Sequence, residues 1–360
     1  MSRDSFGSRF GALVAMAGSA VGLGNLWRFP YLVGENGGAA FIIIYILMSF
    51  LICLPIFICE FVMGRRSQEN AYSTFRDLSG GSWWKYVGVM TVIVPLIVTS
   101  YYSVVGGWSV EYLIKSLTFT FTSGEAQSQI STMFGDFVSS PWLPLIMHTI
   151  FLLITAVIVA AGIKGGIEKF SKVMMPLLFV IVLGIAIYSL TLPGAGGGVE
   201  YLFKPDFSKI TAKACAAALG QAFFSLSLAG GGTLVYGSYL KDDENVPSCA
   251  MTVAVFDTLA AFVASLAIIP AVYAFGINTN SSGMGGPGLL FISLPEVFKS
   301  MPMGNIVMII FFVAVFFAGI TSLVNLFEAP IEALQTKFKL SRIPSVAIVA
   351  IIGTVVAVLI

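Results

Sequence analysis

Charged residues are scarce in this sequence. Only 10% of its 360 residues are Asp, Glu, Lys or Arg, against about 25% in a typical soluble domain, and 57% are hydrophobic. The mean hydropathy is +0.94. The formal net charge is +1, so nothing indicates a nucleic-acid partner. These values exclude an ordinary soluble domain and predict an integral membrane protein that crosses the bilayer several times.

Histidine and cysteine are also rare. The single histidine, His148, lies near the outer end of a candidate span, where we expect it to be packed or interfacial. No nucleophile–base pair or metal-ligand spacing is present, so the sequence indicates no enzyme. The first apolar segment lacks the cleavage site of a secretory signal, and we expect it to be retained. We interpret the four cysteines as small buried hydrophobic residues: Cys53, Cys59, Cys215 and Cys249.

Nine apolar stretches are long enough to cross a bilayer, which takes about 20 mainly apolar residues. They lie roughly at 10–33, 39–64, 86–118, 142–162, 173–192, 214–240, 249–275, 304–334 and 343–360. The segment 193–213 contains Gly, Pro, Asp206 and three lysines, so we expect an extracellular loop there.

The basic residues indicate an orientation. With the N-terminus in the cytoplasm, 13 Lys and Arg residues fall on the cytoplasmic side and 5 on the other, while Arg28 lies within the first span. Because cytoplasmic loops carry the excess of Lys and Arg, we expect a cytoplasmic N-terminus and a multi-pass protein of the cell inner (plasma) membrane.

Two of the stretches contain residues that weaken a helix. Residues 18–30 are GSAVGLGNLWRFP, and residues 223–239 are FFSLSLAGGGTLVYGSY. An interrupted helix frees amides that suit a carboxylate and carbonyls that suit a hard cation. For a single glycine, close helix packing is the alternative, as in the GxxxG pair Gly18 and Gly22. Two such clusters beside hydroxyl and amide side chains favour a ligand site at mid-membrane depth.

Polar side chains inside the other spans add to this hypothesis, because each is costly in lipid. Asp257 lies centrally in the seventh span, where an ionised carboxylate needs a cation; a hydrogen bond to a neighbouring helix is the alternative. Glu60 either accepts hydrogen bonds from opened backbone or reaches the interface. Four further polar residues lie within spans: Tyr101, Tyr102, Thr321 and Ser322.

The first-span motif GSAVGLGNLWRFPYLVGENGGAAF closely resembles the first-helix signature of the neurotransmitter:sodium symporter family. The resemblance continues in the family's order through EFVMGR, TSYYSVVGGW, LGQAFFSLSLAGGG and FFAGITSL. It implies an all-α integral membrane protein with an inverted repeat, in which helices 1 and 6 are broken at mid-membrane. Residues 1–192 would form the first five-helix repeat, 193–213 the extracellular loop, and 214–360 helices 6–8 with part of helix 9. We therefore expect a second repeat that lacks the family's C-terminal helices.

The resemblance also implies two sodium sites. The first would use the substrate carboxylate together with Ala20, Asn25, Ser225 and Asp257. The second would use carbonyls and hydroxyls of Gly18, Val21, Ala318, Thr321 and Ser322. Many members of the family have Asn where this chain has Asp257. Because a fixed negative charge there can replace the chloride that some relatives need, we expect no chloride requirement.

Between the broken helices, the resemblance implies an amino-acid site. The substrate carboxylate would meet Leu23, Gly24 and the Tyr102 hydroxyl. The substrate amino group would meet carbonyls near Ala20, Phe224 and Ser227. The other lining residues would be Val98, Ser225, Gly230, Ser322 and Leu326.

The resemblance further implies gates on both sides of this site. Arg28 and Phe224 would form the outer gate, and Arg3 and Tyr239 the inner one; Glu60 is a further gate position. The family's acidic partner of the outer arginine lies in the tenth helix, so the partner of Arg28 stays open here. No inner partner is obvious near 332–339.

Gly230 bears on the substrate, because several relatives carry a bulky residue there. Glycine frees side-chain volume, so we expect a pocket for larger apolar or aromatic L-amino acids unless a neighbouring side chain fills the gap. The implied function is sodium-coupled symport by alternating access, with the amino acid, sodium ions and the bilayer as partners. The alternatives are a proton-coupled carrier, in which Asp257 or Glu60 titrates, and a non-transporting membrane sensor. The oligomeric state is not indicated.

Overall fold

The computed structural model describes residues 5–121, 130–241, 243–276 and 288–359. All regular structure in these ranges is helical. Seven of the helices are long and apolar enough to cross a membrane, and a bent helix pair makes an eighth candidate span. The predicted all-α membrane architecture is therefore confirmed for the described part of the chain.

The helices are numbered here in chain order. They are α1 (Arg9–Ala20), α2 (Gly24–Glu35), α3 (Ala39–Ser67), α4 (Ala71–Leu78), α5 (Lys85–Leu117), α6 (Ile130–Ser139), α7 (Leu143–Ala160), α8 (Ile163–Leu190), α9 (Gly196–Phe203), α10 (Ala212–Ser225), α11 (Gly232–Ser238), α12 (Val246–Ala274), α13 (Leu294–Ser300), α14 (Gly304–Phe338) and α15 (Arg342–Leu359).

The first predicted break separates α1 from α2, whose axes differ by 47°. α1 starts after Ser8, whose hydroxyl accepts a hydrogen bond from the Gly11 amide at 3.1 Å and so caps the helix. It ends where Val21 adopts an extended conformation, at φ −78° and ψ 98°. Backbone groups at the two facing helix ends are thereby left without intrahelical partners.

The second break lies between α10 and α11, at 226–231. Thr211 caps the start of α10 by accepting a hydrogen bond from the Ala214 amide at 3.1 Å. Gly231 has φ +69°, and a Cβ there would lie 2.6 Å from the Thr91 carbonyl oxygen. Only glycine fits this position without strain, so the triple glycine ends the unwound segment where α11 begins.

The predicted spans match the helices closely. Seven coincide with single long helices, the first with the α1–α2 pair, and the sixth with α10 and α11 together. One boundary was wrong: α8 begins at Ile163 instead of near 173. Charged residues interrupt the apolar stretch near this start in the sequence, but they have partners in the structure. Glu168 accepts a hydrogen bond from the Gly7 amide at 2.6 Å and forms an ion pair with Lys172 at 2.7 Å.

Helix α14 lies at the centre of the molecule and packs against α1, α5 and α8. Exposed apolar side chains such as Leu51, Val157 and Val180 cover the outer faces, as a lipid-facing surface requires. Tyr201, on α9 in the segment 193–213, donates its hydroxyl to the Gly34 carbonyl at 2.9 Å and thus holds this segment over the end of α2.

Two predictions about rare residues have different outcomes. His148 is fully buried and lies 3.0 Å from the Ser103 hydroxyl, so it is packed between α7 and α5. Cys53 and Cys249 are buried, as expected, but Cys59 is exposed on α3 and Cys215 is only half-buried. The prediction of four buried cysteines was wrong because sequence does not show which face of an apolar helix meets lipid.

Candidate functional site

A cavity of about 150 Å³ lies between the two helix breaks, α5 and α14. Of the residues predicted to contact substrate, those that line it are Ala20, Gly24, Val98, Tyr102, Phe224, Ser225, Ser227, Gly230, Ser322 and Leu326. Leu23 lines an adjoining space instead. The lining residues outside that predicted set are Ser19, Gly22, Val94, Pro95, Phe223, Leu228, Gly232 and Asn325, of which all but Val94, Pro95 and Asn325 lie in the two interrupted stretches. Helical spacing from predicted neighbours could have indicated Val94, Pro95 and Asn325.

One end of the cavity is polar. The Tyr102 hydroxyl accepts a hydrogen bond from the Leu23 amide at 3.1 Å, at the first turn of α2. A Cβ at Gly22 would lie 2.1 Å from the Ser322 hydroxyl oxygen and 2.8 Å from that of Tyr102. The backbone of the first break therefore directly contacts α5 and α14. Amides at a helix start attract negative groups, so this end suits a carboxylate.

Hydroxyl groups of the second break reach the first break and α12. Ser227 donates to the Ser19 carbonyl at 2.8 Å, which joins the two interrupted helices across the cavity. Ser225 donates to the Asp257 carboxylate at 2.7 Å. The unwound backbone at both breaks is thus held by side chains from the opposite break or from a neighbouring helix, as buried polar groups require.

Asp257 is fully buried and forms the centre of a polar network. Its Oδ1 accepts from Asn25 Nδ2 at 2.7 Å as well as from Ser225, and its Oδ2 accepts from the Tyr45 hydroxyl at 3.0 Å. The Asn25 Oδ1 accepts from the Gly22 amide at 3.0 Å. The three side chains predicted for the first sodium site are therefore in direct contact. Three donors partly compensate the cost of burying a carboxylate.

The residues predicted for the second sodium site join α1 to α14. The Ser322 hydroxyl lies 3.4 Å from the Gly18 carbonyl oxygen, and the Thr321 hydroxyl lies 3.1 Å from that of Ala318. Val21 is the extended residue that ends α1. The described residues include no cluster of three or more His, Cys, Asp or Glu side chains that could hold a metal ion. An ion here would be bound by carbonyl and hydroxyl oxygens.

Arg28 has a neutral partner. Its Nη1 donates to the Gln221 side chain at 2.8 Å, and its guanidinium carbon lies 5.3 Å from the centroid of the Phe224 ring. Gln221 in turn donates to the Gly24 carbonyl at 3.0 Å. Tyr102 and Phe224 line both the cavity and an adjoining space of about 330 Å³ that also includes Arg28. Tyr102 and Phe224 therefore lie between the two spaces, and Arg28 lines the adjoining one. Gln221 lies within the motif LGQAFFSLSLAGGG, but the sequence assigned it no role.

On the other side of the cavity, Tyr239 is fully buried. Its hydroxyl lies 3.0 Å from a Glu328 carboxylate oxygen and 2.8 Å from one of Glu332, and Arg342 pairs with Glu328. Phe6 donates its amide to the Tyr239 carbonyl at 3.2 Å, which closes the start of α1 against α11. These two glutamates are the acidic partners of Tyr239, and Glu332 lies in the range 332–339 where the sequence showed no obvious inner partner. The other predicted inner-gate residue, Arg3, lies outside the described residues.

Glu60 contacts the second break. Its Oε1 accepts from the Ala229 amide at 2.8 Å, and its Oε2 accepts from the Thr233 hydroxyl. Of the two sequence interpretations, the structure supports hydrogen bonding to opened backbone. The Glu60 carboxylate thus accepts hydrogen bonds from residues on both sides of the triple glycine and holds the unwound segment against α3.

Comparisons with known proteins agree with this arrangement. The model of the sodium:neurotransmitter symporter family matches residues 3–133 and 129–360. The sodium-dependent transporter YhdH of Bacillus subtilis is 39% identical over 321 residues, which cover 89% of this chain and 70% of YhdH. A sodium-dependent transporter of Haemophilus influenzae is 37% identical over 349 residues, 94% of this chain and 76% of that protein.

A solved structure is similar throughout the chain. The crystal structure of MhsT in complex with L-phenylalanine is 42% identical, has a TM-score of 0.92, and matches 99% of this chain and 80% of that chain. The two broken helices, the polar network between them and these likenesses lead to one conclusion. The chain belongs to the sodium:neurotransmitter symporter family, and it is therefore a multi-pass membrane protein of a family of sodium-dependent transporters, not enzymes.

Proposed function

We propose that this protein carries a larger apolar or aromatic L-amino acid across the cell inner membrane together with sodium, by alternating access. The observation that carries the proposal is the cavity between the breaks, which is polar at Tyr102 and Ser322 and is otherwise lined mainly by apolar side chains and glycines. A cavity of about 150 Å³ is comparable to one known to hold a benzene ring. The substrate carboxylate would bind near Leu23 and Tyr102, and the side chain would extend past Val98.

Gly230 supports the size of the proposed substrate. A Cβ there would have only the Ser227 carbonyl oxygen nearby, at 3.7 Å. No described neighbour therefore fills the volume that the glycine leaves. MhsT, which is 42% identical, was crystallised with L-phenylalanine, and the same class of ligand is proposed for this chain.

Two sodium ions would link substrate binding to the helices that move. The first would bind beside Asp257, Asn25 and Ser225 with the Ala20 carbonyl. The second would bind between α1 and α14, at Gly18, Val21, Ala318, Thr321 and Ser322. Sodium shifts the balance between outward-open and inward-open states only if it binds one state more tightly. A site shared by α1 and α14 meets this condition when the two helices separate during opening.

Chloride would not be required, since the Asp257 carboxylate supplies a negative charge beside the first sodium site. The excess of cytoplasmic Lys and Arg supports an N-terminus inside the cell. The same assignment treats 1–192 as one five-helix repeat and 214–360 as part of a second, inverted one, with 193–213 outside the cell.

Sodium-dependent binding tests the function directly. Purified protein is assayed by scintillation proximity with labelled L-phenylalanine, in competition with Gly, Ala, Leu, Met, Tyr and Trp, at varied sodium and pH. We expect sodium-dependent binding and a preference for the larger residues. Preference for Gly or Ala contradicts the substrate class, and binding that follows pH instead of sodium indicates a proton-coupled carrier.

Uptake into proteoliposomes separates a carrier from a sensor. With an inward sodium gradient we expect the labelled amino acid to accumulate, and replacing external chloride with gluconate should leave uptake unchanged. Sodium-dependent binding without accumulation would support the non-transporting sensor instead.

A further inference from the structure

One polar side chain in the cavity wall has no hydrogen-bond partner. Asn325 is 1% exposed, lines the cavity, and its Oδ1 makes no hydrogen bond in the described part of the chain. The other cavity-lining side chains with polar atoms are engaged: Ser19 with Met16, Tyr102 with Leu23, Ser225 with Asp257, Ser227 with Ser19, and Ser322 with Gly18. A buried acceptor without a partner is costly, so a ligand that supplies a donor would gain affinity here.

The position of Asn325 places it beyond the polar end of the cavity. It follows Ser322 by three residues on α14, which puts both on one helix face about 4.5 Å apart along the axis. On α5 the lining residues run from Tyr102 to Val94, eight residues or about 12 Å. A substrate fixed at Tyr102 would therefore direct its side chain toward the region that contains Asn325.

Local packing fixes the Asn325 amide in this wall. A Cβ at Gly232 would lie 2.5 Å from Asn325 Oδ1 and 2.7 Å from its Nδ2. The amide thus lies flat against the first residue of α11, and the third glycine of the triple glycine makes this approach possible. Val94, Pro95 and Leu326, which line the same cavity, are apolar, so a ring bound there would face little competition from water for the amide.

We infer that Asn325 recognises a ring hydrogen-bond donor on an aromatic amino-acid substrate, the indole N–H of tryptophan or the phenol O–H of tyrosine. This inference rests on the proposed function and makes it more specific. A site whose buried polar group pairs with the substrate discriminates strongly against an analogue that lacks the donor. Phenylalanine would still fit the cavity, but it would leave Asn325 unpaired.

Matched ligands test this without any substitution. L-tryptophan is compared with 3-benzothienyl-L-alanine, in which sulfur replaces the indole N–H, and L-tyrosine with L-phenylalanine, all as competitors in the sodium-dependent binding assay. We expect the donor-bearing member of each pair to bind roughly tenfold more tightly. Equal affinities within both pairs would overturn the inference. Absence of any sodium-dependent amino-acid binding would instead refute the proposed function.

A variant then assigns the preference to one residue. In Asn325→Leu the preference within each pair should fall below about twofold, while phenylalanine still binds. The matched control is Asn305→Leu, because Asn305 is a second buried amide on α14, away from the cavity, that bonds the Ser116 carbonyl. Asn305→Leu should keep the preference. A preference that survives in Asn325→Leu contradicts the assignment, and Asn325→Met gives a second measurement if the leucine variant folds poorly.

Discussion

At the scale of single residues, burying the carboxylate of Asp257 carries a large electrostatic cost in free energy. It is fully buried with three hydrogen-bond donors, and no described lysine or arginine forms an ion pair with it. A nearby sodium ion would neutralise its charge. Removing the charge while keeping the shape therefore tests both the ion and the absence of a chloride requirement.

We predict that Asp257→Asn raises the sodium concentration needed for half-maximal substrate binding about tenfold or more, because a charge–charge attraction at short range is lost. Binding is measured against sodium in chloride and in gluconate. The wild type should behave alike in both salts, and added chloride should partly restore the variant. A variant with unchanged sodium dependence would contradict the placement of an ion beside Asp257.

At the residue scale, the sequence identified site residues whose role lies within a single motif. Ser227, Gly230 and Ser322 could be named because a motif carries each of them. Gln221 lies within the motif LGQAFFSLSLAGGG and Asn325 lies three residues after Ser322, but their roles come from partners on other helices, so neither the motif nor the spacing assigned them. The same reason explains why Glu328 and Glu332 emerged as partners of Tyr239 only in the folded chain.

At the scale of elements, the decisive contact is the one between the first break and α14. A Cβ at Gly22 would lie 2.1 Å from the Ser322 hydroxyl oxygen, so any larger residue must displace that hydroxyl. The glycines of the first break have low helix propensity and weaken the span. The resulting interruption brings backbone amides to the cavity. Composition located the break, and the family resemblance paired it with α14 through the ligands expected for the second sodium site; the close approach of Gly22 to Ser322 emerged only in the folded chain.

We predict that Gly22→Ala reduces substrate binding at least tenfold, since the added methyl group must displace Ser322 or Tyr102 from the polar end of the cavity. The control is Gly34→Ala on α2, where a Cβ would have nothing within 4 Å. Both are assayed for sodium-dependent binding and for thermal stability in detergent. Equal binding by the two variants would show that close approach at position 22 is not needed.

At the scale of the whole molecule, the structure is closed on the side of Tyr239. The start of α1, the end of α11 and the last turns of α14 meet there around one phenol group. Glu328 and Glu332 place two carboxyl groups against this hydroxyl, and Arg342 pairs with Glu328. Polar contacts therefore join, on this side, elements that the proposed alternating access would have to separate.

Tyr239→Phe removes the hydroxyl that bridges these elements and keeps the ring against Phe6. A hydrogen bond to a charged group contributes about 1.5–3 kcal/mol, so we predict a roughly 10- to 100-fold shift toward the state open on this side. Hydrogen exchange of the α1 amides, followed by mass spectrometry, should become faster, and sodium should reverse part of the change. Tyr188→Phe is the control, because that hydroxyl bonds Pro302 at an exposed position elsewhere. Unchanged exchange in Tyr239→Phe would mean that the apolar contacts of Phe6 alone hold the side closed, and that the glutamate pair takes no part in the transport cycle.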